Sequence, residues 1–461
     1  MEDNRILISI LLPNMKKTLF LLPFAATIGY AQQQKPNVIV VLVDDMGIGD
    51  NGTYGSTITP TPNIDQLARE GLQLGCFYSA APVSSPARAG LLTGRYPIKY
   101  RMNTFLDSKA ANARVENANY LDPNAPTMAH AFKDAGYSTG HFGKWHMGGG
   151  RDVTDAPGFE QYGFTSHVST YESPDPDPKL TSTRWIWAAT DEVKRWNRTA
   201  YFIDRAIDFM KENKTQGKPF FLNLWPDDVH TPWVPEAVAE KRGEWEKRTS
   251  FIPVMEELDR QLGRFFNAID SLGLKDNTIV VFTADNGPAP SFKQERTCGK
   301  RGQKNSLYDG GINMPCIIRY PKLIEPGKVN NKTVLSTLDL YPSLCSICGI
   351  PTQEGYWSDG ADYSKAFLGQ EEPKRKEVLM WDFGRNESYN RPRNAYHRSP
   401  HLAIRQGKWK LLCDGDASDV QLYDMVADPK ETTNVASEHP KLVRKLSKRV
   451  CQWYKTYRFG M

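Results

Sequence analysis

Two short acidic stretches give this chain its first chemical signal. Asp44-Asp45 and Asp285-Asn286 offer three carboxylates and an amide, hard oxygen donors with no thiolate among them. Such a set suits Ca²⁺, with Mg²⁺ as the alternative, better than zinc, which draws on His and Cys. Cationic and imidazole side chains accompany it: Arg88, Lys144 and Lys304, with His146 and His230. A divalent cation beside Lys, Arg and His can hold a tetrahedral oxyanion and stabilise its charge as it is transferred. Sulfate and phosphate esters are the two substrates this chemistry suggests.

These residues lie far apart in the chain, so the elements between them must bring them together. NVIVVLV, 37–43, is a continuous β-branched run that suits a central strand covered on both faces. Asp44 and Asp45 follow it at once. TPNIDQLAREG, 61–71, predicts a helix with an early proline and a closing glycine. APTMAHAFKDAGYSTGHFGKWHMG, beginning at 126, predicts a helix, a glycine stop and a short strand that ends near Lys144 and His146. Further on come a helix near 200–212, a strand at 219–225 followed by Asp227, Asp228 and His230, a helix at 253–272, and a strand at 278–283 that runs into Asp285 and Asn286. Alternating helix and strand predicts an α/β fold, a large mixed and mostly parallel sheet sandwiched by helices. Chemistry in such sheets collects at the carboxyl ends of strands. A single Asp there is ordinarily a helix cap. Four clusters at four strand ends exceed what capping requires.

Composition bounds the rest. The chain has 461 residues, 40% apolar and 24% charged, with net charge +5. Its Lys and Arg read as scattered along the chain, without the basic clusters and interleaved aromatics of a nucleic-acid binder. Met15-Lys16-Lys17 leads into TLFLLPFAATIGYA, a basic start, a short apolar core and a small-residue end. That predicts a secretory signal over 1–31, with Met15 the better start and export to the periplasm or medium. The apolar core is too short to span a membrane. Seven cysteines are an odd count, so at least one lacks an intramolecular partner; Cys345 and Cys348 read as buried thiols, since no second pair completes a zinc site. The expected organisation is a catalytic domain at 32–371 and a smaller α+β subdomain with an antiparallel sheet and a closing helix at 372–461. Residues 149–198 lack clean periodicity and read as a long ordered loop.

The stretch Ser84-Ser85-Pro86-Ala87-Arg88, followed by Leu92-Thr93-Gly94-Arg95, resembles the signature of the formylglycine-dependent sulfatases, in its serine-type bacterial form. In that signature a Cys or Ser stands two residues before a Pro and four before an Arg. NVIVVLVDDMG, TPNIDQLAREG, GYSTGHFGKWHMG, HTPWVP, TADNGP, GQKNSLYDGGINMP and LYDMVADPKETTN have counterparts in the same order, so the resemblance spans nearly the whole chain after the signal. It implies an alkaline-phosphatase-like fold and oxidation of Ser84 to formylglycine by a serine-type maturase. A hydrated aldehyde offers two hydroxyls: one attacks sulfur, and loss of the other's proton lets the C–O bond to sulfate break as the aldehyde re-forms. The resemblance further implies Asp44, Asp45, Asp285, Asn286 and the converted Ser84 as metal ligands, and Arg88 holding the aldehyde hydrate. Lys144 and Lys304 would hold the sulfate oxygens, His230 would be the general acid and His146 the base. Asp309 and Asn313 stand where the family commonly carries Glu and Arg, which puts local substrate contacts there in doubt.

A sulfated sugar is the expected substrate, a galactose, N-acetylgalactosamine or N-acetylglucosamine ester. Trp185, Trp187 and Tyr171 would stack on pyranose rings or else pack in the core. Asp227, Asp228 and His167 would bond sugar hydroxyls, unless the aspartates cap a helix. Two other readings stay open: a phosphomonoester or phosphodiester hydrolase using unmodified Ser84, and a glycan-binding relic without turnover. Oligomeric state is not legible.

Overall fold

The computed structural model describes residues 35–180, 188–386 and 388–459; the expected signal segment lies outside them. Nine strands make the main sheet: β1 (Asn37–Val43), β2 (Leu72–Tyr78), β3 (Ser138–Gly143), β4 (Ser166–Ser169), β5 (Phe220–Trp225), β6 (Thr278–Ala284), β7 (Asn313–Arg319), β8 (Lys328–Asn330) and β9 (Leu335–Ser336). Their order is β4-β3-β5-β1-β6-β7-β2-β8, with β9 also on β2. Only β7 runs against its neighbours in this sheet, pairing antiparallel with both β6 and β2.

β1, β3, β5 and β6 are buried at every position, as continuous apolar runs require when helices cover both faces. The Arg198–Thr215 helix buries Phe202, Ile203, Ala206, Phe209 and Met210, a stripe at helical spacing. The long Arg248–Ser271 helix packs beside it, burying Phe251, Met255, Leu258, Leu262 and Phe265. The Ser84–Thr93 helix is buried along its whole length and packs on the Met128–Asp134 and Leu340–Ile347 helices.

Register decides what meets at the carboxyl rim. Val43 of β1 lies opposite Ala284 of β6, and Gly143 of β3 opposite Trp225 of β5. The residues just beyond these pairs therefore leave the sheet side by side. At Gly143, φ is +125°, and an added Cβ would sit 2.1 Å from the Trp225 carbonyl oxygen. Only glycine permits this approach, and it lets the Lys144 amide donate to that carbonyl at 2.9 Å.

A second sheet holds four antiparallel strands in order, β10 (Leu379–Asp382), β11 (Leu402–Gln406), β12 (Trp409–Cys413) and β13 (Gln421–Asp424). The Pro440–Phe459 helix closes it, burying Leu446, Val450 and Tyr454. A buried polar cluster joins the two sheets: the Asp309 carboxylate accepts from Lys410 at 2.7 Å and from the Tyr78 hydroxyl at 2.8 Å, while Lys410 also reaches Glu431 at 2.8 Å.

Two sequence expectations need correction. The 149–198 stretch holds the edge strand β4, which pairs with β3 but is too short to show a period. Asp309 and Asn313 make no substrate-facing surface: Asp309 is spent on Lys410 and Tyr78, and Asn313 donates to the Phe77 carbonyl at 3.1 Å. Cys345 and Cys348 are buried, and burial pushes both thiols up to about 12, which makes them inert rather than redox-active.

Candidate active site

Asp44 and Asp45 leave β1 while Asp285 and Asn286 leave β6, all of them at most 1% exposed. Asp285 Oδ1 gathers the two ends, accepting the backbone N–H of Asp45 at 3.0 Å and of Asn286 at 2.8 Å. Asn286 Nδ2 donates to Asp45 Oδ1 at 2.7 Å. To turn its carboxylate inward, Asp45 takes φ of +58°, a left-handed conformation that a non-glycine residue adopts at some cost. His146, past the end of β3, sits at +55°.

Ser84 opens its helix with its side chain in this group: Oγ is 3.0 Å from Asp44 Oδ1 and 3.3 Å from Asn286 Oδ1. The helix's unpaired amides and its positive end face the same space, which favours anions. Pro86 fits within the first turn, where its missing N–H is no loss. One turn after Ser84, Arg88 donates from Nε and Nη2 to Asp285 Oδ2 at 3.1 and 2.9 Å, and its Nη2 lies 3.3 Å from Asp44 Oδ1. Lys144 Nζ reaches Asp44 Oδ2 at 2.7 Å, and Lys304 Nζ reaches the Asp45 carboxylate at 2.7 Å.

Burial alone would raise Asp44, but Lys144, His230, Arg88 and Lys304 outweigh it and hold the carboxyl well below its usual range. At Asp285 burial dominates, with the Asp44 charge adding to it, and the carboxyl is pushed up despite Arg88. The chemistry of the donor set fits a divalent cation: hard oxygens of Asp44, Asp45, Asp285 and Asn286 converge in one buried pocket. His230 belongs to the same group, since ligand atoms of Asp44, Asp45 and His230 lie within 4.8 Å of one another.

The two histidines differ in which nitrogen carries the proton. His230 Nδ1 lies 2.6 Å from the Thr231 carbonyl and must carry a proton there, leaving Nε2 to accept from Lys304 Nζ at 3.0 Å. Burial first, then the Lys304 charge, lowers His230 to about 4. His146 Nε2 lies 3.1 Å from the Leu106 carbonyl, so Nε2 carries the proton and Nδ1 keeps its lone pair. Burial drives His146 down to about 3, against the pull of Glu172 at 3.5 Å.

Ser84, Lys144, His146, His230 and Lys304 line a cavity of about 740 Å³. Its walls include Arg151, Asp107, Glu172, Trp245 and, from the loop after β10, Asn390. Arg151 is fixed between Asp107 at 3.0 Å and Glu172 at 2.9 Å. None of these wall residues was singled out from sequence: Trp245 sits in KRGEWEKR, which reads as a solvated charged stretch, and Asn390 lies in the loop between β10 and β11.

The expected sugar contacts lie elsewhere. Asp227 is held by Arg195 and by Arg198 at 3.1 Å, and Asp228 accepts from the Thr199 hydroxyl, so both carboxylates are spent inside the protein, and neither lines this cavity. Asp227 satisfies two buried guanidiniums and Asp228 a buried hydroxyl. His167 stacks on Phe159 at 4.3 Å and pairs with Asp175 at 2.9 Å. The Tyr171 hydroxyl accepts the Arg151 N–H at 3.0 Å, which makes it a support behind the wall. Trp185 and Trp187 lie outside the described residues.

A buried hydroxyl beside clustered carboxylates and cations, at the carboxyl rim of a mostly parallel sheet, defines a hydrolase of oxyanion esters. The Sulfatase family profile matches residues 36–350, and the N-sulphoglucosamine sulphohydrolase C-terminal profile matches residues 301–456. The N-acetylgalactosamine-6-O-sulfatase of Bacteroides thetaiotaomicron is 30% identical, with 90% of this chain and 92% of that protein aligned. Human arylsulfatase A is also 30% identical, over 92% of this chain and 84% of its own. A solved 6S-sulfatase from Bacteroides thetaiotaomicron, described in the context of glycosaminoglycan metabolism, superposes with a TM-score of 0.73 at 29% identity, covering 92% of this chain and 100% of that one. The chain belongs to the sulfatase family and is a sulfuric ester hydrolase. Among the described residues no helix is long and apolar enough to cross a membrane.

Proposed function

We propose that this enzyme removes sulfate from an O-sulfated sugar, with N-acetylgalactosamine 6-sulfate the first substrate to try and galactose or N-acetylglucosamine esters next. The observation that carries this reading is Ser84 Oγ, 3.0 Å from Asp44 on the floor of a cavity lined by Lys144, His146, His230 and Lys304. The named activity of the 30%-identical Bacteroides relative supports the sugar.

Oxidation of Ser84 to formylglycine by a serine-type maturase supplies a hydrated aldehyde, one hydroxyl to attack sulfur and a second whose deprotonation expels sulfate. A Ca²⁺ or Mg²⁺ ion on Asp44, Asp45, Asp285 and Asn286 would supply positive charge to polarise the ester. Arg88 holds Asp285 and Asp44 in place. Lys144 and Lys304 stand between those carboxylates and the cavity, where their ammonium groups can turn to the sulfate oxygens. Lys304 Nζ and His230 Nε2 share a proton at 3.0 Å, and this pair can pass it to the leaving sugar oxygen. His146 Nδ1, with its lone pair free, takes the proton released as the product ester breaks down. Residues 32–371 carry this chemistry, and 372–461 complete the cavity's rim through Asn390. The leader at 1–31 fits export to the periplasm or medium.

Protein co-expressed with a serine-type maturase should release sulfate from position-defined sulfated monosaccharides. Turnover of small aryl sulfates far above every saccharide tried would overturn the sugar assignment, and turnover of phosphate esters by unmodified protein would overturn the formylglycine step.

A further inference from the structure

The basic residues are less evenly spread than the composition suggested. The Pro440–Phe459 helix carries seven Lys and Arg and no acidic residue. Over the whole chain basic residues outnumber acidic ones by only 58 to 53, so everything outside this helix carries a slight negative charge. Leu446, Ser447, Val450, Cys451 and Tyr454 turn inward onto the second sheet. Lys441, Arg444, Lys445, Lys448, Arg449 and Lys455 are all exposed, and none forms an ion pair among the described residues. At 1.5 Å per residue the row from Lys441 to Lys455 runs for about 21 Å. Surface lysines on ordinary helices are usually offset by acidic residues one turn away, which is wholly missing here.

Aromatic rings continue the surface at the helix's end. Trp357 is 52% exposed and Tyr457 39%. Lys99 Nζ lies 3.7 Å from the centre of the Trp357 ring and 4.6 Å from that of Tyr457, and Arg95 lies 4.4 Å from Trp357. Asp359 holds Lys99 beneath these rings at 2.6 Å, so the exposed rings offer stacking for sugar faces while the helix's own cations offer charge for sulfate groups. The helix is also tied to the catalytic rim. Arg458 pairs with Glu116 at 3.2 Å, Glu116 with Arg385 at 3.4 Å, and Arg385 stands five residues before Asn390 in the cavity wall.

We propose that the exposed face of the Pro440–Phe459 helix, with the Trp357 and Tyr457 rings at its end, is a second binding surface for a sulfated polysaccharide, separate from the catalytic cavity. This rests on the reading that the substrate is a sulfated sugar, and it deepens it: the enzyme engages polymeric or clustered sulfated glycan, holding neighbouring anionic units while one end enters the cavity. Charge complementarity selects a polyanion, and the exposed rings favour a glycan over a duplex nucleic acid.

Binding is measured with unmatured protein on immobilised chondroitin sulfate, with uncharged dextran and duplex DNA as comparison matrices. The wild type should be retained by the sulfated glycan and pass through dextran. A variant carrying Lys441→Gln, Lys445→Gln, Lys448→Gln and Lys455→Gln should bind the glycan roughly tenfold more weakly at low salt. Trp357→Ala should weaken glycan retention and leave DNA retention unchanged. On matured enzyme, the fourfold variant should keep kcat/KM for a sulfated monosaccharide and lose it for the polymer. Unchanged glycan retention by the fourfold variant overturns the proposal, as does wild-type retention equal on DNA and glycan. Because binding is read without turnover, failure of the sugar-sulfatase assignment would show in the monosaccharide assay alone.

Discussion

His146 is a buried imidazole and His230 a partly buried one, each with one nitrogen spoken for by a carbonyl, yet their surroundings give them different tasks. His230 faces Lys304, so it can relay a proton; His146 Nδ1 is buried without a hydrogen-bond partner, so it can take one. Replacement of His230 by Gln should cost roughly 10²–10⁴-fold in kcat for a sugar sulfate and far less for 4-nitrophenyl sulfate, whose leaving oxygen needs no proton. Steady-state rates on the two substrates check this, and equal losses would remove the acid role. His146 also predicts a pH effect on stability. Its folded pKa, pushed by burial to about 3, lies below the unfolded value, so the unfolded chain binds more protons between about 3 and 6.5 and stability rises with pH across that window. Denaturant midpoints for the wild type should fall as pH drops through this range, and those of His146→Gln should fall less. At this scale the convergence of Asp44, Asp45, Asp285 and Asn286 was legible because paired polar residues came straight after apolar runs. Asp227 and Asp228 follow the same rule and mislead, since their partners, Arg195 and Arg198 for the first and Thr199 for the second, lie some thirty residues upstream with no pattern linking them.

Elements explain which parts of the fold could be read. β1, β5 and β6 show as β-branched or aromatic runs because both faces are covered, and a run of that kind is distinctive in one dimension. β4 has four residues and β9 two, too few for any period, and β7's reversed direction depends on pairing partners that a linear sequence does not display. The second sheet showed only as short strands, since both of its faces are covered, Ala403 and Leu412 packing into one apolar cluster and Leu402, Ile404 and Leu411 into another. Close approach between β3 and β5 depends on one side chain's absence. Gly143→Ala places a Cβ 2.1 Å from the Trp225 carbonyl oxygen at a φ that alanine disfavours. Since Lys144 and His146 follow directly, the substitution should cost about 3 kcal/mol or more and depress turnover as well. Thermal unfolding and kcat on one preparation test both. A stable but inactive variant would show that the strands can part without unfolding.

On the scale of the whole molecule, the centre draws on residues from position 44 to position 304, set on separate strands and a helix, so no fragment can contain it. Ser84 has 1% of its surface exposed and sits within a helix buried along its length, at a point the folded chain encloses on every side except the narrow cavity. A converting enzyme that grips the residues around its target in an extended form would meet, in the folded protein, residues 84–93 locked into helical turns. If position 84 is oxidised as proposed, the step therefore belongs to the nascent or translocating chain, before the sheet closes. Adding maturase to folded, unconverted protein should leave its mass unchanged, whereas the denatured chain, or a short peptide spanning 81–95, should lose two hydrogens; conversion of the folded form at the peptide's rate would contradict this. On that reading the host would have to make the chain and its modifier in the same place at the same moment, and a batch folded too early would stay idle for the rest of its life.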